Sequence, residues 1–136
     1  MRKALIVVGL GLALVGCQLK PTPTPIPTPD ALGIYLILVD DYTSLNTIVQ
    51  MRDRAPDEIQ RMEMAMQAIV PPPDLRQLHL QALEAFNYIY EGLSLLPAPG
   101  DNVLVAEANF MVDWGISRLM EYRELLDAYA QEHGRQ

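Results

Sequence analysis

The chain has 136 residues, half of them hydrophobic, with 17 acidic side chains against 10 basic ones and a formal charge of −7. Counterion release from nucleic acid needs a basic face, and no cluster of basic residues follows Arg2 and Lys3, so the composition argues against a nucleic-acid partner. Cys17 is the only cysteine, which rules out an intramolecular disulfide and leaves no thiolate in the folded part for zinc or redox chemistry.

In chain order, Arg2 and Lys3 precede an apolar run from Ala4 to Val15, the layout of a secretory signal. A transmembrane helix needs roughly 20 apolar residues because the hydrocarbon core is about 30 Å thick. This run is too short to span and stops against Gly16 and Cys17, so residues 1–16 read as a removable signal peptide. At its end, Leu14-Val15-Gly16-Cys17 resembles the lipobox of bacterial lipoproteins. That resemblance implies a diacylglyceryl group on Cys17, which becomes the first residue of the mature chain. It also implies an anchor rather than a span, and two acyl chains hold where one is marginal. Gln18 stands where the family in some diderm bacteria carries a retaining aspartate, which leans towards an outer membrane over the cell membrane, on the extracytoplasmic side in either case. The alternative is an ordinary signal peptide with an incidental cysteine. Removing the signal takes Arg2 and Lys3 with it, so the charge moves from −7 to −9; this acidity argues against the domain lying on anionic lipid.

Residues 17–29 form the lipidated end and a spacer, with proline at 21, 23, 25, 27 and 29. Each proline fixes its own φ and drives the preceding residue towards extended backbone, so polyproline II is expected. At ~3.1 Å per residue, about a dozen such residues reach on the order of 35 to 40 Å. The alternating threonines suit O-linked sugars. The alternative use of the prolines is as a ligand for an aromatic groove.

Residues 30–136 read as one domain, large enough to bury a core unaided. Asp30 is placed to cap a helix through Leu38, Tyr42, Leu45 and Val49, and Pro56 opens a shorter one along Ile59, Met62, Met66 and Ile69. The apolar run Ile34 to Val39 has no second strand to pair with and is assigned to helix. From Leu75 to Leu96, apolar residues recur at three-and-four spacing for about six turns, after Pro71-Pro72-Pro73-Asp74 and before Pro97. The segment "PPPDLRQLH" resembles the proline-opened helix starts of small secreted helical proteins, a likeness that implies no activity. A long last helix follows Asp101 or Asn102 as cap, along Leu104, Ala108, Met111, Gly115, Leu119, Tyr122, Leu126 and Tyr129. Short links favour antiparallel neighbours, so the expected fold is all-α, an up-and-down antiparallel four-helix bundle.

Three groups of residues invite chemistry. Met62, Met64 and Met66, with Met51, suggest Cu(I), yet residues two apart on a helix do not share a face and methionine is ordinary core filler. His79 beside the third stripe suggests a haem ligand paired with a methionine, but there is no C-x-x-C-H, and a lone histidine is more often a packed side chain. Asp40-Asp41 and Asp113-Trp114 suggest acid–base work, but adjacent acids on a helix point about 100° apart. No nucleophile elbow, zinc-protease motif or phosphate loop is present. Tyr88, Tyr90 and Trp114 suit a contact surface if exposed together and core mass if buried. Gly92 and Gly115 suggest a close helix approach. The reading that results is a non-catalytic lipid-anchored helical module binding a partner at the cell envelope, with no metal ligand set and no cofactor. The alternative is a bundle holding a small ligand, copper or haem in its core.

Overall fold

The computed structural model describes residues 30–96 and 100–135. The signal segment, the lipobox with Cys17 and the proline spacer lie outside the described residues. Among those described, the fold is all-α, and no helix is long and apolar enough to cross a membrane. The helices are α1 (Ala31–Thr43), α2 (Leu45–Val49), α3 (Pro56–Gln67), α4 (Arg76–Leu95) and α5 (Asn102–Glu132), with single 3-10 turns at Met51–Asp53 and Pro73–Leu75.

The first expected helix is broken. Ser44 takes an extended conformation, φ −61° and ψ 150°, and its side chain accepts from the Thr47 N–H, so it ends α1 and caps α2. Asp30 makes no cap bond; its carboxylate pairs with Arg135 at the far end of the chain instead. Asp101 does cap, accepting from the N–H groups of Val103 and Leu104 at 3.1 and 3.0 Å, and the 31-residue α5 that follows runs about 46 Å at ~1.5 Å per residue. Pro56 begins α3, where its missing N–H costs nothing, and Asp57 and Glu58 sit at the positive end of the helix.

The core is contributed by every helix: Tyr35 and Val39 from α1, Ile48 from α2, Ile59 and Met66 from α3, Ala82, Ala85, Phe86 and Ile89 from α4, and Val112, Leu119, Tyr122 and Leu126 from α5. The pairing of α4 with α5 is the most extensive, and the contacts of α1 with α3 and α5 are slight. Small residues make the α4–α5 approach possible. A Cβ on Gly92 would lie 2.7 Å from the Ala108 carbonyl oxygen, and one on Gly115 would lie 2.7 Å from that of Ala85, so the expectation for these glycines holds.

Candidate functional site

The core is crossed by one polar chain. His79 on α4 is 4 % exposed, and each of its ring nitrogens has a partner. Nε2 lies 3.1 Å from the Met66 carbonyl oxygen at the end of α3, and Nδ1 lies 3.0 Å from the Tyr35 hydroxyl of α1. A carbonyl only accepts, so Nε2 carries the proton and Nδ1 offers its lone pair to Tyr35 O–H. Tyr35 has then used its single proton, so in the 2.9 Å contact between the two tyrosines it is Tyr122 on α5 that donates. Every donor in the series Tyr122, Tyr35, His79, Met66 is satisfied in one direction, and the series joins α5, α1, α4 and α3. Burial pushes the His79 imidazole below its ordinary range, against the bond to the Met66 carbonyl, which favours the charged ring. Burial also pushes both tyrosines up, Tyr122 the more strongly, because a phenolate there would lose its solvation, a cost that the pull of Arg123 on Tyr122 does not offset.

Outside this polar chain, α1 is held by ion pairs. Arg123 on α5 meets Asp40 at 2.5 Å and Asp127 at 2.9 Å, and Arg135 meets Asp30 at 2.5 Å. Beside these pairs a groove of about 820 Å³ runs between α1 and the last turns of α5, walled by Leu36, Ile37, Asp127 and Ala130. The outward face of α1 is apolar as well: Ile34, Ile37 and Leu38 are 47, 73 and 46 % exposed. The spacing of three, four and one residues puts them within about 100° of one another on the helix, with Asp41 among them. A helix apolar on all sides is normally covered on all sides, and α1 is covered on one.

The other candidates are dispersed. Met51 and Met66 are buried core, Met62 is partly buried and Met64 points outward, as the spacing requires. Asp40 pairs with Arg123 and Asp113 with Arg52, on different parts of the surface, and Asp41 is exposed. Among the described residues no three His, Cys, Asp or Glu side chains converge. Tyr88 and Trp114 do meet, with ring centroids 4.4 Å apart and Arg118 lying 5.1 Å over the indole, but both rings are half-buried. The sequence reading missed the roles of Tyr35 and Tyr122. The available signal for Tyr122 was a tyrosine on a core stripe, whose hydroxyl must find a partner when buried. Tyr35 lay off the stripe expected for the first helix, which the structure corrects, since Leu38, Leu45 and Val49 are exposed and Tyr35, Val39 and Thr43 form the buried face.

Comparison with protein-family models, with curated proteins and with solved structures finds no significant match for this chain.

Proposed function

We propose that this protein is a bacterial lipoprotein, anchored through Cys17 on the extracytoplasmic side of a membrane, whose helical domain is a non-catalytic module that binds an envelope protein through the outward face of α1. The observation that carries the reading is the exposure of Ile34, Ile37 and Leu38 on a helix that begins one residue after the spacer. An apolar face of this kind marks an interaction site when it is contiguous, and the adjoining groove offers walls for a partner's side chains. The partner's chemistry follows: an apolar stripe, with a basic residue where Asp41 stands free of any ion pair among the described residues.

In this reading the helices run up and down in a bundle. The α4–α5 register supports opposite directions for that pair, since Gly92 faces Ala108 and Val112 while Gly115 faces Ala85 and Ile89. The anchor confines the domain to a thin layer at the membrane and raises its effective concentration for partners there. The reading of the bundle as a holder of haem or copper has less support, because neither nitrogen of His79 is available unless a buried hydrogen bond is broken.

Photo-crosslinking in cells tests the reading. A photoreactive residue at position 37 is expected to give a discrete protein adduct that one at the exposed position Glu124 does not give, and Cys17→Ser is expected to abolish both palmitate incorporation and the adduct. Adducts of equal yield from both positions, or none from position 37, would remove the α1 face as the binding surface. Membrane retention of Cys17→Ser would remove the lipid anchor.

A further inference from the structure

The polar chain that crosses the core does more than fill it. Among the described residues it supplies the only buried side-chain hydrogen bonds between α1 and the rest of the domain, through one hydroxyl, that of Tyr35. The remaining attachments of α1 are the buried side chains of Tyr35, Val39 and Thr43, the partly buried Leu32, Leu36 and Tyr42 packed against the core, and the ion pairs Asp40–Arg123 and Asp30–Arg135. This is the most lightly packed long helix of the fold and the one to which the spacer connects.

The proton directions in the chain admit one state of His79 only. A proton arriving at Nδ1 turns the acceptor of the Tyr35 hydroxyl into a donor. Tyr35 must then accept from the ring and turn its own proton to Tyr122, and the Tyr122 proton is left without a partner in the core. The groups facing the ring offer no compensation. From α1 comes Tyr35; from α5 comes Tyr122, with the cationic Arg123 beside it; from α3 come the Met66 carbonyl and the neutral Gln67; from its own helix comes Arg76, at the rim of a shallow apolar cleft of about 360 Å³ that reaches the ring. None of these groups is a carboxylate, and the two carboxylates nearest Arg123, those of Asp40 and Asp127, are engaged with it, so a charged imidazole would be buried without a counter-ion.

We infer that Tyr35 and His79 form an acid-sensitive latch: the neutral imidazole holds α1 closed, and protonation of His79 is accommodated by releasing α1 from the bundle. Release bares Nδ1 to water and at the same time uncovers Tyr35 and Val39, which adds their apolar surface to that of Ile34, Ile37 and Leu38. Mildly acid conditions thus weaken the hold on the helix nearest the spacer while the α4–α5 pair, tied by its own close packing, stays folded. The latch stands apart from the partner-binding reading, since it acts whether or not the α1 face has a partner.

The sign follows from linkage. The open state has an ordinary histidine, the closed state a depressed one, so the open state binds more protons and closure weakens as the pH falls below about 6.5. Hydrogen exchange on the purified full chain, with rates corrected for intrinsic pH dependence, reads this directly. Between about pH 7.5 and about pH 5.5 the α1 amides are expected to lose up to about tenfold in protection while α4 and α5 keep theirs. His79→Gln keeps one donor for the Met66 carbonyl and one acceptor for Tyr35 and does not titrate, so it is expected to abolish the pH effect. An unchanged α1 in the wild type overturns the latch. So does an acid loss that persists in H79Q, which retains both Asp–Arg pairs and His133 and would assign the effect to them. Should H79Q fail to fold, ring-nitrogen NMR of the wild type decides: a neutral Nε2–H imidazole as long as α1 is protected supports the latch, and a protonated ring under a protected α1 overturns it.

Discussion

Gly115 on α5 lies against Ile89 on α4 so closely that a Cβ at position 115 would stand 2.6 Å from the Ile89 Cγ1 atom and 2.7 Å from the Ala85 carbonyl oxygen. Two opposed terms decide what alanine would do there. Helix propensity favours alanine over glycine by about 1 kcal/mol, and overpacking a filled interface costs typically about 1–3 kcal/mol. The Ile89 side chain can turn away, but the Ala85 oxygen is backbone and moves only with its helix. Overpacking therefore wins, and Gly115→Ala is expected to destabilise the domain by about 1–2 kcal/mol in urea denaturation. An equal or raised midpoint would show that the two helices do not meet at this distance.

The two buried tyrosines are predicted to be unequal. Tyr122 only donates, so Tyr122→Phe removes one hydrogen bond and leaves Tyr35 still bonded to His79; the expected loss is about 1 kcal/mol. Tyr35→Phe strands two buried groups at once, His79 Nδ1 and the Tyr122 hydroxyl, and the expected loss is about 2–4 kcal/mol. Equilibrium unfolding of the two variants at neutral pH checks the order. If Tyr122→Phe proved the costlier, Tyr35 would not be the shared member on which both His79 and Tyr122 depend.

Much of this fold is readable in the residues because helix periodicity is a local property. Ala82, Ala85, Phe86, Ile89 and Leu93 occur at the spacing of one face, and they are buried together. The close approach at Gly92 and Gly115 was also readable, since glycine inside a long helix carries a cost that needs a reason. Three features were not. The break at Ser44 depends on a serine that is as ordinary in a helix surface as in a cap. Asp30 looks like a cap and is instead drawn to Arg135, more than a hundred residues away, a pairing that only the assembled bundle creates. The Tyr35–His79–Tyr122 chain joins residues 44 and 87 positions apart, and no local pattern encodes which hydroxyl reaches which ring.

The contrast between aspartates gives a prediction on capping. Asp101 accepts from two of the free N–H groups that open α5, so Asp101→Ala is expected to cost about 1 kcal/mol. Asp30 accepts from none at the start of α1 and forms one half-exposed ion pair, so Asp30→Ala is expected to cost about 0.5 kcal/mol or less, and less still in high salt. Denaturant midpoints measured at low and high ionic strength separate the two. A salt-insensitive loss in Asp30→Ala, equal to that of Asp101→Ala, would restore Asp30 to the capping role.

Ile37 tests whether the outward face of α1 serves contact or stability. Its side chain is 73 % exposed, so most of its apolar area is already in water and Ile37→Asp forfeits little burial. Surface changes of this kind fall within about ±0.5 kcal/mol, whereas Val39→Asp, two residues on and fully buried, would place a carboxylate among Tyr35 and the α5 core and prevent folding. Ile37→Asp is therefore expected to leave the unfolding midpoint nearly unchanged and to lower the yield of the crosslinked adduct from a photoreactive residue at Ile34 by about tenfold, as removal of a central interface anchor does. An unchanged adduct yield would mean that the apolar face of α1 is not where the partner sits. A large fall in the midpoint would mean that the face is covered within the domain itself.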